Sequence, residues 1–215
     1  MRYKRRIERT TRKINDTFNR IDTMRRERLN LPFVAFVALM PYMTEQTIKS
    51  LVLIPPPKKL KKADIPDSLQ LATFGDLVKL QGVAKNEGDY LRLCCRLVEA
   101  LTGINSDIVG SCRAYDVLGI VNMIQGEMER IGKLFQGLNA EHTAEEINAG
   151  IDKLEFGTFG LVDYYAKRMG IVDHEEVFKT PWARIYKCMQ IDFENNEFEK
   201  RYRKVLEQKT KIKRR

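Results

Sequence analysis

Between Trp182 and Ile212 the apolar residues of one helical stretch change sides. Trp182, Ile185, Tyr186, Met189 and Phe193 gather on one side at the helical period. Past Asn195 and Asn196, the residues Phe198, Tyr202 and Val205 lie nearly opposite that first stripe if the helix runs straight. One straight helix cannot bury both stripes in one core. Either the helix breaks near Asn195, or its second half lies on something else.

The same stretch carries charge outward. Residues 199–215 hold 9 Lys or Arg against 2 Asp or Glu, and residues 1–30 hold 11 against 4, so each end is +7. The whole chain of 215 residues is +9, which leaves the middle at −5. A mildly acidic body between two basic ends points to a polyanion or to the acidic surface of a neighbouring protein. The plainer reading is that basic ends keep the protein dissolved.

Residues 2–28 read as one amphipathic helix. Tyr3, Ile7, Ile14, Phe18, Ile21 and Met24 share a face. Arg2, Arg5, Arg9, Arg12, Lys13 and Arg20 occupy the other, and Asn30 with Pro32 stops it. Residues 33–40 suit a buried strand or a short core helix, and 47–54, "TIKSLVLI", reads as a strand. Pro55, Pro56 and Pro57 before "KKLKK" imply an exposed, stiff connector or loop tip, with no regular sheet or helix.

From residue 66 the chain reads as helical, at about 74–82, 89–102, 106–112, 114–137, 144–155, 159–169, 174–179 and 181–210. Thr73 with Asp76, Thr143 with Glu146 and Asp173 with Glu176 have the spacing of capping boxes. Thr180-Pro181 reads as an N-cap with proline at the first helical position. Gly103 and Gly170 read as stops. "TFGDLVKLQGV" at 73 echoes "TFGLVDYYAKRMGI" at 158, which two similarly capped helices would explain. The expected fold is mainly α, a helical bundle with a small β-containing part near the N-terminus and long basic helices at both ends. The expected organisation is a basic arm at 1–30, a β/loop segment at 31–65, a helical body at 66–195 and a second basic arm at 196–215.

Chemistry is hard to place on this chain, and the expectation is that it is not an enzyme. His142 and His174 stand at helix starts among acids, as surface histidines do. "GEMERIGKL" at 126–134 puts five residues between Gly126 and Gly132 and Leu134 after Lys133, which a phosphate loop does not allow. Glu127 with Glu129, Glu145 with Glu146 and Glu175 with Glu176 diverge around their helices and read as solvated faces. Cys94, Cys95, Cys112 and Cys188 have no zinc-binding spacing and suit a reducing compartment. No cofactor or metal is expected. The longest apolar run, 31–43, falls short of the about 20 residues a bilayer needs, so no membrane partner is expected either.

The arms ask for partners. Ile191, Phe198, Val205 and Ile212 recur at sevens, as do Ile7, Ile14 and Ile21, and such spacing asks for a second helix. The two arms could pair inside one subunit; the reading taken here is contact between subunits. Ile7, Ile14, Ile21, Ile191, Phe198, Tyr202 and Val205 are then the interface residues. Arg2, Arg5, Arg9, Arg12, Lys13, Lys209, Lys211, Lys213, Arg214 and Arg215 are the contacts to polyanion or acidic partner. DNA would be met through phosphates without base reading.

"DIPDSLQLATFGDLVKLQ" at 64–81 resembles the "IP…T-x-G-x-hydrophobic-D-L" stretch of structural and tail-assembly proteins of tailed bacteriophages, notably crAss-like phages of Bacteroides. "DYYAKRMGIVDHEEVFKTPWARIYKCMQID" at 163–192 resembles their closing unit of short helix, acid-capped turn and proline-initiated helix. The resemblance covers residues 64–102 and 144–206; the triple proline and the basic arms fall outside it. It implies a virion protein, a repeated subunit of a cyclic homo-oligomer at the portal, neck or tail, through which DNA passes and where other virion proteins dock. Before incorporation it would reside in the host cytoplasm. A tail-assembly chaperone and a sequence-independent nucleic-acid-binding protein are the alternatives.

Overall fold

The structure is a computed structural model that describes residues 29–138, 144–154 and 156–213. It is mainly α-helical with one small antiparallel sheet, as expected. The chain divides into two compact units. One comprises the described residues up to Asp67 together with Val83–Ile124; the other comprises Ser68–Gly82 and Gln125 onward.

In the first unit, α1 (Phe33–Leu39) follows Pro32 and buries Phe33 and Phe36. It resolves the ambiguity of 33–40 in favour of a core helix. The next segment corrects the expectation of a strand at 47–54: Glu45–Leu51 is helical, α2. Its start lies upstream of the β-branched cluster. The Thr44 hydroxyl accepts from the Thr47 N–H at 3.3 Å, and Glu45 in the first turn suits the positive end of the helix dipole.

The proline run takes no regular structure and leaves Pro55 exposed, as expected, yet it is not a free loop tip. Its backbone lies against α6 (Ala114–Gln136), where Gly119 leaves the space: a Cβ there would stand 2.2 Å from the Pro55 carbonyl oxygen. One turn on, the Asn122 amide donates to the carbonyls of Leu51 at 2.7 Å and Ile54 at 3.4 Å. The lysine-rich stretch forms the sheet. β1 (Lys59–Leu60) pairs with β2 (Ala63–Asp64), Lys59 opposite Asp64, and Lys61 takes φ 54° at the turn. Leu60 and Ile65 are buried, so the hairpin is pinned by apolar contacts amid four lysines.

α4 (Tyr90–Thr102) starts on Asp89, whose carboxylate accepts from the Arg92 N–H at 2.9 Å, and stops at Gly103, φ 72°. The short α5 (Ser106–Gly110) starts on Asn105. The core holds Val98, Val109, Val117, Leu118, Ile120 and Val121, with Cys94, Cys95 and Cys112 buried beside them as small apolar groups. Burial pushes the Cys94 thiol up to about 12 and the Cys95 thiol up to about 11.

In the second unit, α3 (Phe74–Asn86) opens with the expected capping box. The Thr73 hydroxyl accepts from the Asp76 N–H at 3.1 Å, and the Asp76 carboxylate accepts from the Thr73 N–H at 3.0 Å. The box expected at Asp173 is only half formed: Asp173 accepts from Glu175, one residue early. Thr143 lies outside the described residues. The single helix expected over 144–155 is α7 (Ala144–Asn148) followed by a 3-10 turn, Ile151–Lys153, because Gly150 takes φ 86° between them.

α8 (Gly157–Met169) begins at 157, so Thr158 is inside the helix and caps nothing, and Phe159 is exposed where Phe74 is buried. The sequence echo at 73 and 158 is therefore not a shared structure. α9 (His174–Phe178) leads to α10 (Trp182–Lys213). The Thr180 hydroxyl donates back to the Glu176 carbonyl at 3.3 Å, so it does not cap α10 as expected.

Trp182 sits at the centre of this unit, 3% exposed. Its Nε1 donates to the Leu69 carbonyl at 2.7 Å, while the Leu69 N–H donates to Glu127 at 3.0 Å. Arg130 grips both oxygens of Glu127, each at 2.9 Å, and lies 5.8 Å from the centre of the indole ring. Phe135 and Tyr186 complete the aromatic cluster. Glu127 is therefore the anchor of a clamp, which corrects its reading as part of a solvated face. Its partner Glu129 is exposed and pairs with Lys133.

Candidate functional site

α10 is one unbroken helix of 32 residues, about 48 Å long at 1.5 Å per residue. Asn195 and Asn196 are helical and do not break it. Of the two outcomes open to the side-switching pattern, a break near Asn195 is the one that does not occur in the helix. Its inner half buries Trp182 and Ile185 in the body of its unit. Its outer half leaves Phe198 59%, Tyr202 54% and Val205 46% exposed, with Ile191 at 42% on the same face. At about 100° per residue, these four fall within about 60° of one another and roughly half a turn from the buried stripe. Leu206, not singled out beforehand, stands exposed at the edge of the face. The Phe198 and Tyr202 rings stack, centroids 6.1 Å apart and 9° from parallel, as a spacing of four allows.

Charges flank this face in two blocks. Residues 190–199 contain four acids, Asp192, Glu194, Glu197 and Glu199, and no Lys or Arg. Residues 200–209 contain five bases, Lys200, Arg201, Arg203, Lys204 and Lys209, and the single acid Glu207. The blocks meet in two pairs one helical turn long: Lys200 with Glu197 at 3.0 Å and Arg203 with Glu199 at 3.3 Å.

The inner side of the junction is tied to α8. The Tyr164 hydroxyl donates to one oxygen of Asp192, and the Arg168 guanidinium donates to the other. These contacts, the tyrosine's first, hold the Asp192 carboxyl below the usual range. Burial and the adjacent carboxylate push the Tyr164 phenol up to about 12. Beside this node runs a shallow groove of about 370 Å³, walled by Leu138, Met189 and Phe193 and reaching Asn196 and Lys200. Tyr164 was invisible to sequence reasoning because its partner is 28 residues away.

Lys209 is on α10 and exposed. Lys211 and Lys213 belong to the same helix, their side chains outside the description. Ile7, Ile14, Ile21, Arg2, Arg5, Arg9, Arg12, Lys13, Arg214 and Arg215 lie outside the described residues, so the structure brings together only the C-terminal half of the expected interface. His142 also lies outside them. His174 is half-exposed, its ring edge-on to Phe159 at 5.4 Å. Gly126 and Gly132 are inside α6. Among the described residues, no group of three or more His, Cys, Asp or Glu could hold a metal ion, and no helix is long and apolar enough to cross a membrane.

No family model, curated protein or solved structure matches the chain.

Proposed function

We propose that this chain is a non-enzymatic structural subunit of a tailed-phage particle, repeated in a ring at the portal, neck or tail, and that the outer half of α10 is the limb by which it holds its neighbours. One observation carries the reading. The helix that buries Trp182 runs on without a break and presents Phe198, Tyr202 and Val205 to solvent. An unpartnered helical face of this kind marks an association surface. The resemblance over 64–102 and 144–206 supports placing that association in a virion.

Burying four such side chains contributes about 1.5–3 kcal/mol each before ordering costs, enough to hold a contact that many copies reinforce. Ending the chain after Asn196 is expected to abolish assembly, read as sedimentation mass, and to leave the helical circular dichroism of the body in place. Assembly unchanged by the truncation would overturn the proposal. Mass spectrometry of purified particles separates a virion subunit from an assembly chaperone, which would be absent from them. The basic block from Lys200 to Lys209 favours a second reading, a sequence-independent nucleic-acid binder. It predicts DNA binding by a monomer that falls steeply with salt.

A further inference from the structure

Three apolar residues of the exposed stripe of α10 are evenly spaced about Phe198, while Tyr202 and Glu194 stand four residues to either side of it. Ile191 lies seven residues before it and Val205 seven after, all three on one face. On one flank of the stripe Glu194, before Phe198, and Arg201, after it, carry opposite charge. Those three apolar groups repeat themselves, and the Glu194–Arg201 pair complements itself, when a second helix runs in the opposite direction. We infer that the partner of this face is the same face of a second copy, with the two α10 helices antiparallel about a two-fold axis near Phe198. The inference rests on the reading of α10 as an association limb and names what it holds.

In that arrangement Ile191 meets Val205 of the second copy, and the two Phe198 rings meet at the axis. On one flank Glu194, four residues before Phe198, comes beside Arg201 of the other helix, three residues after. In a parallel pair each flank turns to the opposite one, so Glu194 would stand beside Asn195 of the other helix and lose its basic partner. Charge therefore selects the direction that the apolar stripe alone leaves open.

Charge also limits the overlap. Lys187 and Lys209 are each eleven residues from Phe198 and would face each other, so the paired region ends inside them. The outer face of α10 is open over that whole length, since Arg184, Lys187, Ile191, Glu194 and Asn195 are all exposed. A two-fold contact closes on itself and joins copies in pairs, so a ring needs a second, separate interface. An acidic surface on another protein would satisfy the basic block alone and leave the acidic block unanswered. A nucleic acid would be repelled by it.

Site-directed cross-linking of the full chain decides the matter, in a Cys188→Ser background because the other three cysteines are buried. Under mild oxidation, I191C mixed with V205C is expected to give a covalent dimer, and F198C is expected to give one by itself. V205C alone is expected to stay monomeric on a denaturing gel. Efficient cross-linking of V205C to itself would mean a parallel pair and overturn the inference. So would no cross-link from any variant together with a salt-sensitive DNA shift lost in R201E, which assigns the face to nucleic acid. Sedimentation of the chain ended after Asn196 keeps the two claims apart. Assembly lost on truncation with V205C self-linking sinks only the antiparallel pair, whereas assembly retained on truncation sinks the reading of α10 as a limb and this inference with it.

Discussion

The two compact units use one device to join two helix starts, and they finish it differently. In the first unit Pro32 and Arg113 form an isolated antiparallel bridge: the Phe33 N–H donates to the Cys112 carbonyl at 2.8 Å and the Ala114 N–H to the Leu31 carbonyl at 2.9 Å. In the second, Thr73 bridges Pro181: the Phe74 N–H donates to the Thr180 carbonyl at 2.8 Å and the Trp182 N–H to the Ala72 carbonyl at 3.3 Å. Each bridge satisfies N–H groups that a helix start leaves without partners. Each has a proline followed by a buried aromatic residue on one side, and a residue with aspartate three positions on along the other. Phe33, though, has nothing polar to place. Trp182 adds an indole N–H, and around it the second unit builds the Leu69–Glu127–Arg130 clamp. The unit that sends out α10 is the one whose helix start is held by side chains as well as backbone.

Removing the two aromatic residues tests the shared part. Trp182→Ala and Phe33→Ala are each expected to cost about 3–5 kcal/mol, mostly through the cavity left behind. Softer replacements separate the units. Phe33→Leu is a near volume-conserving change, expected to cost under about 1.5 kcal/mol. Trp182→Phe takes one of two donors from the buried Leu69 carbonyl, which keeps the Ala72 N–H at 3.1 Å, at a further cost of about 0.5–1.5 kcal/mol. Urea titration of the four variants checks the ranking. Equal losses for Trp182→Phe and Phe33→Leu would mean the indole hydrogen bond adds nothing.

A second pair of positions sharpens the contrast between backbone contacts. Gly119 faces the Pro55 carbonyl oxygen, which an added Cβ would approach to 2.2 Å; Gly75 faces the Phe178 carbonyl oxygen, which it would approach to 2.9 Å. Both substitutions to alanine overpack, and such changes cost about 1–3 kcal/mol. Gly119→Ala is expected at or above the top of that range and Gly75→Ala near the bottom, read as the difference in thermal midpoints. The reverse order would mean the proline segment moves away more easily than α9.

These contacts also mark where sequence reasoning stopped. Helix starts were legible when the cap is local: Thr73 with Asp76 is an exchange across three residues and was read correctly. The change of sides along α10 was legible because the helical period is local too. The strand expected at 47–54 failed because the apolar cluster after Lys49 outweighed a threonine cap placed upstream of it. The Lys59–Asp64 hairpin was hidden because two-residue strands have no period and Lys61 takes a positive φ without being glycine or asparagine. The seat of the proline run on Gly119 and Asn122, and the clamp on Trp182, join residues 58 to 113 positions apart. Nothing in a local pattern announces such pairs. For the candidate site, the exposed stripe was readable and the α8 contacts of Asp192 were not.

The clamp predicts a pH dependence that belongs to the second unit. The Arg130 hydrogen bonds, and then the Leu69 N–H, hold the Glu127 carboxyl below its ordinary range against the opposing effect of burial. A carboxyl lowered in the folded state contributes stability above its unfolded value of about 4.3, and that contribution fades as pH falls through the folded value. Glu127→Gln removes it. The midpoint difference between parent and variant should be largest near neutral pH and should shrink as acid is added below about pH 4. A difference that stays constant with pH would mean that shape, not charge, is what Glu127 supplies.

The smallest expected effect isolates the finishing of the bridges themselves. Thr73 exchanges two backbone-to-side-chain hydrogen bonds with Asp76, so Thr73→Ala removes a helix cap and is expected to cost about 1 kcal/mol. Arg113 bonds Asp116 through its guanidinium at 2.9 and 3.2 Å, but its own side chain is largely solvent-exposed. The pair opens to solvent on the arginine side only, Asp116 being buried, so Arg113→Ala is expected to cost about 1 kcal/mol, close to the threonine change. High salt divides them, because it screens the ion pair and leaves the cap intact. Measured in low and high salt, the Thr73→Ala loss should hold steady while the Arg113→Ala loss shrinks. If both shrink together, the first-unit and second-unit bridges are held by the same long-range field and the distinction between side-chain and backbone stitching is lost.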